Sequence, residues 1–314
     1  MATDYILFVH GVNVRERVED EKRKTYRYAD SLFNLIRREN PSLKLRKVPL
    51  YWADVSDAVL REFEPSIKNA SAWQQFWYKD FRTRKLLQFT GDAALYISRH
   101  VGSLAVEQLK EQAFELLEEY QPNDRLHLVT HSWGTVILFD MLFASRWDDP
   151  DIPAHQCVQG IRKHLFGVPP GEPDGIRLAS IHTMGSPLAV FSLITIVGRF
   201  NEGSSHDISP KLEQLLKNLT QNGKKIPWRN FVHPGDPIAL PLEKVVPNLV
   251  DRGEQYIDIQ DILTSGSGLL EVLAQPLRSS YLALINGGNA HGSYWKNAGV
   301  AKEIAKTIVQ TATD

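Results

Sequence analysis

Only one of the 314 residues is cysteine, Cys157, and only three are methionine. A single thiol excludes an intramolecular disulfide and a Cys-based zinc site, and it suits a reducing compartment. Cys157 sits in the loop-like stretch DIPAHQCVQG without a motif that would activate it, and reads as a bystander. Long apolar runs are also missing. The longest candidate, SPLAVFSLITIVG at 186–198, falls short of the roughly 18 residues that a spanning helix needs. The opening MATDYILFVHG enters an apolar strand without a basic region, a signal-length apolar run or a small-residue cleavage site. These absences predict a cytoplasmic protein with no transmembrane segment.

Excess charge of either sign is lacking too. Lys and Arg number 36 against 37 Asp and Glu, a formal charge of −1, so no global field attracts nucleic acid and no nucleic-acid partner is expected. The local cluster from Arg37-Arg38 to Arg46-Lys47 reads as a solvated helix end and strand start. Neither a G-x-x-x-x-G-K-[ST] phosphate loop nor a G-x-G-x-x-G follows a strand, and no H-E-x-x-H or H-x-H pairing occurs. No cofactor and no metal are therefore expected.

What is present is a core-forming chain, 43% hydrophobic, in which short apolar runs alternate with helical segments. Strands are predicted at 5–9, 43–52, 125–130, 176–185, 228–233 and 255–262. Helices are predicted over 17–39, over most of 56–120, after Gly134 and over the tail KNAGVAKEIAKTIVQTA. Strands separated by helices predict an α/β fold with a mainly parallel sheet flanked by helices. No repeat or linker divides the chain, so one domain over 1–314 is expected, with cap or lid insertions within 56–120, 148–175 and 190–227.

In such a sheet, sites form beyond the carboxyl ends of the strands. Those ends carry His10-Gly11-Val12, His131-Ser132-Trp133-Gly134, Gly185-Ser186-Pro187 and Pro234-Gly235-Asp236-Pro237; a late glycine-rich loop, NGGNAHGSYW at 286–295, carries His291. Serine needs an imidazole to take its proton and a carboxylate to orient that imidazole. A sharp strand-to-helix turn at Ser132 would lift its Oγ from the sheet and leave the Trp133 N–H for an oxyanion. Gly134 would let the helix pass close to the strands. Val12, after His10-Gly11, would offer the second N–H.

The segments HGVN, THSWGT, TMGSPL, HPGDPIALP and AHGSYW, in this order, resemble those of lipase- and esterase-like α/β-hydrolases. The order Ser132, Asp236, His291 is the one that family uses. The resemblance implies an α/β-hydrolase fold with helical cap insertions. It makes Ser132 the nucleophile, Asp236 the orienting acid, His291 the general base, and Val12 and Trp133 the oxyanion donors, with His10, Gly11 and Gly134 in support. The departure is Thr130, where the family pattern has glycine.

Blander readings stand beside each role. Ser132 suits a helix cap, and Pro-Gly-Asp-Pro suits a turn. Asp261 is the reserve acid, ahead of Asp258. His127 and His182 lie inside strand patterns and read as packed core or surface residues, His131 should point away from the Ser132 Oγ, and His10 should brace the oxyanion loop. Trp73, Phe76, Trp77 and Phe81 share one face if 72–81 is helical, which reads as packing on the sheet or closing a pocket, with peripheral membrane contact as the alternative. The segment 188–200 reads as an acyl-pocket wall, a lid or core.

The expected activity is hydrolysis of a carboxylic ester, with a small-molecule or lipid substrate carrying an apolar acyl group. A thioesterase or peptidase on the same triad, or a catalytically silent binding protein on the same fold, are the alternatives.

Overall fold

The computed structural model describes residues 2–12, 14, 26–164, 175–190, 216–217, 220, 224–251, 253–264 and 290–312. Six strands form one sheet: β1 (Asp4–Val9), β2 (Leu45–Leu50), β3 (Arg125–His131), β4 (Arg177–Met184), β5 (Ile226–Val232) and β6 (Ile257–Leu263). Every neighbouring pair is parallel, in the order β2-β1-β3-β4-β5-β6. Parallel pairing requires a crossover between each pair of strands, and helices supply it wherever the connection is described. These are α1 (Asp30–Glu39), α2 (Ala53–Lys68), α3 (Gln88–Ile97), α4 (Arg99–Leu117), α5 (Trp133–Phe143) and α6 (His155–His164). The helix α7 (Val245–Val250) lies between β5 and β6, and α8 (Ala298–Ala312) closes the chain. The expected α/β architecture is the one observed.

Alternation along the strands divides the core in two, because successive side chains point to opposite faces. Tyr5, Leu7 and Val9 of β1 and Leu126 and Leu128 of β3 pack on one face with Val106, Leu109 and Ala113 of α4 and Val136 and Ile137 of α5. Ile6, Phe8 and Val129 pack on the other with Leu32 and Ile36 of α1 and Ile304 and Ile308 of α8. From Gly134 to Phe143, α5 is buried all round. Its sequence, GTVILFDMLF, has no polar face to offer water. Among the described residues no helix is long and apolar enough to cross a membrane.

Two sequence expectations change. The first helix begins at Asp30 rather than residue 17: residues 28 and 29 form a turn, and 13 and 15–25 lie outside the described residues. The turn is tied to the sheet by the Tyr28 hydroxyl, which donates to the carbonyl of Phe8 or Leu50, each 2.7 Å away. Second, 72–81 is not one helix. A 3-10 turn over Ser71–Gln75 ends before Tyr78, whose φ of 55° is left-handed. Trp73 is buried, whereas Phe76, Trp77 and Tyr78 are exposed, Trp77 and Tyr78 by 78% and 75%. The expected shared face therefore does not form. Most of 190–227 and the wall or lid segment 188–200 beyond Val190 lie outside the described residues.

Candidate active site

The chain turns from β1 to β2 on one side and to β3 on the other, so β1 and β3 flank the switch point, beyond whose strand ends ligand sites form in open parallel sheets. Ser132 follows β3 there, with φ 54° and ψ −127°, a backbone geometry that side chains other than glycine's rarely adopt. Two bonds hold this strained corner. The Ser132 N–H donates to Met184 O at 2.9 Å, and the Ser132 carbonyl accepts from Thr135 N–H at 3.0 Å. Ser132 Oγ is buried and has no hydrogen-bond partner. Trp133 opens α5, and the first N–H groups of a helix have no acceptor within it.

Close approach explains the glycines. A Cβ on Gly134 would lie 2.6 Å from both Val9 O and His10 O, so α5 starts directly on the β1 backbone. A Cβ on Gly11 would lie 2.5 Å from Ser132 Cβ and 3.0 Å from its Oγ. The loop after β1 thus runs against the elbow and carries Val12 with it. His10 braces this loop: its Nδ1–H donates to Gly11 O at 2.6 Å, and its Nε2 accepts from Trp52 N–H at 3.3 Å. Trp52 stacks on the imidazole, with 5.7 Å between ring centroids, and its indole N–H donates to His10 O.

Thr130 occupies the position where the family pattern has glycine. Its side chain lies on the α5 face of the sheet, where its hydroxyl pairs with that of Thr135 at 3.1 Å. A second hydroxyl one helical turn into α5 satisfies the polar group that the substitution buries.

Asp236 and His291 meet. Asp236 ends a turn after β5, closed by its own N–H donating to His233 O at 2.9 Å. His291 Nδ1–H donates to Asp236 Oδ2 at 2.8 Å, across 55 residues of chain. This leaves Nε2 as the unprotonated nitrogen of the neutral ring. Asp236 Oδ1 accepts from Ile238 N–H. Burial pushes the Asp236 carboxyl upward, but its hydrogen bonds and the charge of His291 outweigh burial and hold it below the usual carboxylate range. Ser132 and His291 are not hydrogen-bonded to each other. Gly185, with φ 57°, covers the pair: a Cβ there would lie 2.8 Å from Asp236 Oδ2 and 3.1 Å from His291 Nδ1. Part of the loop leading to His291, residues 286–289, lies outside the described residues.

Three contributors escaped the sequence reading. His131 lies on the face away from Thr130, where its Nε2–H donates to His291 O. Tyr294 is fully buried, and its hydroxyl donates to Asp236 Oδ2 at 2.8 Å and accepts from His233 N–H at 2.9 Å. Gly185 is the third. Each lay inside a quoted segment (THSWGT, AHGSYW and TMGSPL), but the only available signal was proximity to a named partner. The reserve acids are engaged elsewhere. Asp261 accepts from Asn230, Leu242 N–H and Glu243 N–H, and Asp258 pairs with Arg229. Among the described residues no three His, Cys, Asp or Glu side chains are grouped to hold a metal.

No family model matches the chain, and no curated protein matches it. Among solved structures, similarity is found to Est1E from Butyrivibrio proteoclasticus, at 12% identity and a TM-score of 0.29 over 90% of each chain. The RedJ thioesterase from Streptomyces coelicolor matches at 11% identity and a TM-score of 0.26, covering 88% of this chain and 85% of the other. An esterase domain from Rhodothermus marinus matches at 12% and 0.25, covering 91% and 86%. The fold itself is established by the chain's own six-stranded parallel sheet, flanked by helices, with Ser132, Asp236 and His291 all placed beyond its strand ends.

Proposed function

We propose that the protein is a serine hydrolase that cleaves carboxylic esters by two-step acyl transfer. The observation that carries this reading is the His291–Asp236 pair, hydrogen-bonded at 2.8 Å and tied through His131 to the elbow that bears an unpartnered Ser132 Oγ. In the first step Oγ bonds to the ester carbonyl carbon while its proton passes to His291 Nε2, and the N–H groups of Val12 and Trp133 hold the oxyanion. Collapse breaks the carbon–oxygen bond to the alcohol, which leaves with that proton. Water then attacks the acyl-enzyme with His291 as base, and the acid departs as Ser132 is restored. Asp236 stays ionised and keeps His291 in the tautomer the reaction needs. The serine–histidine bond closes when substrate binds, as such bonds often do.

An apolar acyl substrate at a lipid surface is favoured by the exposed Trp77 and Tyr78, which no core contact explains. The chain works as a single α/β unit in the cytoplasm, without cofactor.

Labelling by a fluorophosphonate probe tests the chemistry. The native protein labels and Ser132→Ala does not; absence of labelling in the native protein would leave a silent binding protein as the reading. A panel of esters of graded acyl length, with matching thioesters and amides, separates esterase from thioesterase and peptidase. Sedimentation with lipid vesicles, for the native chain and for Trp77→Ser/Tyr78→Ser, tests the lipid surface.

A further inference from the structure

The carboxylate behind His291 has two donors on one oxygen. Asp236 Oδ2 receives His291 Nδ1–H and the Tyr294 hydroxyl, both at 2.8 Å. Its other oxygen serves Ile238 N–H in the turn. The phenol cannot drift, because it also accepts the His233 N–H at 2.9 Å and its ring is sealed in the core between β5 and α8. Tyr294 follows His291 by three residues on the 3-10 turn Ser293–Lys296, which therefore presents the phenol to the carboxylate that His291 already engages.

We propose that Tyr294 is a positioning residue that sets the strength of the base by drawing charge from Asp236 Oδ2. The proposal rests on the serine-hydrolase reading. A carboxylate that gives part of its charge to a phenol stabilises a neighbouring imidazolium less. The phenol thus tempers the base through the carboxylate they share, and the acid limb of the reaction is where that effect is read. The phenol stays protonated throughout: burial and the Asp236 charge push its ionisation far upward. Other titratable groups face the pair from the neighbouring strand ends. These are His131 at the end of β3 and His233 after β5, with His10 after β1 close to His131. His131 remains neutral, so it does not compete for the role.

The test is the rate of fluorophosphonate labelling across pH for the native chain, Tyr294→Phe and Ser132→Ala. Tyr294→Phe removes the donor and leaves the ring. Its acid limb is expected to move to higher pH by roughly half a unit to one unit. A limb that coincides with the native one overturns the proposal while leaving the hydrolase reading intact. Labelling that is absent in the native chain, or that persists in Ser132→Ala, overturns the hydrolase reading itself. Should Tyr294→Phe not fold, replacing tyrosine with fluorotyrosine makes the phenol a stronger donor. The limb must then move to lower pH, and an unmoved limb overturns the proposal.

Discussion

His131 Nε2 lies 2.6 Å from the carbonyl oxygen of His291, a bond that spans 160 residues of chain. The residue beside Ser132 thus holds the backbone of His291. Their rings lie 4.6 Å apart, which fixes His291 from its side as well.

The first prediction follows from that bond. His131→Phe keeps an aromatic ring and removes the donor, so the His291 backbone loses its anchor. Misplacement of a reacting group by about 1 Å can cost about 100-fold in rate. A fall in kcat of roughly 10- to 100-fold with little change in KM is expected, and His131→Gln, which keeps an N–H near the same place, should recover part of it. Equal kcat for His131→Phe and the native chain would remove His131 from the site.

Gly11 supplies the second. A methyl group there would meet Ser132 Cβ at 2.5 Å and His131 O at 3.0 Å, so the loop and the strained elbow would have to shift apart. Gly11→Ala should lower the labelling rate of Ser132 by roughly 100-fold or more, the scale of losing one oxyanion donor. The melting temperature, measured beside it, should fall by only a few degrees because the clash is confined to the loop and elbow beyond the ends of β1 and β3.

Acid stability is the third. Burial, the largest cause in each case, holds the imidazoles of His127, His131 and His182 against protonation, His131 down to about 3. The unfolded chain takes up these protons near 6.5. Between that value and the lower folded ones, the unfolded state holds more protons, so stability is full above about pH 6.5 and falls as pH drops. His131 alone should account for about 2 kcal/mol by about pH 5. Urea unfolding at a series of pH values measures the slope, and His131→Phe should flatten it.

A fourth prediction concerns a look-alike. Ser180 Oγ donates to His127 Nδ1 at 2.7 Å, and His127 Nε2–H donates to Asp4 Oδ1 at 3.1 Å. The same serine accepts His182 Nε2–H at 2.9 Å. By contacts alone this is a better-formed chain than the one at Ser132, yet Ser180 is wholly buried in mid-strand, with no route for a substrate. Ser180→Ala leaves His127 and His182 without their partner and should cost about 1–3 kcal/mol in urea unfolding. Labelling at Ser132 should be unchanged.

The strands, the elbow and the Asp236 turn were legible because each leaves a local mark: an apolar run, a small residue at a tight corner, a Pro-Gly-Asp turn. His291 stood out as the late histidine in a glycine-rich loop, and the structure joins it to Asp236. Tyr294 was not, because its role depends on a 3-10 turn aligning its hydroxyl with a carboxylate 58 residues away. The strand order was also hidden, since alternating strands and helices do not say on which side the chain turns. The aromatic stretch at 72–81 misled through its spacing: periodicity assumes a continuous helix, and nothing in Trp77-Tyr78 announces a left-handed residue. Thr130 looked like a defect, and its remedy, Thr135, lay five residues away in plain view.

The parts of the site follow β1, β3 and β5 and precede α8, with Asp236 and His291 55 residues apart and the elbow tied to His291 across 160. No contiguous fragment short of most of the chain contains them. Covalent capture of Ser132 would therefore act as a census of completed molecules: a folding intermediate lacking β5 or the last helix would carry the same serine and remain silent. During refolding, the appearance of probe on the chain would mark the moment at which its two ends have met.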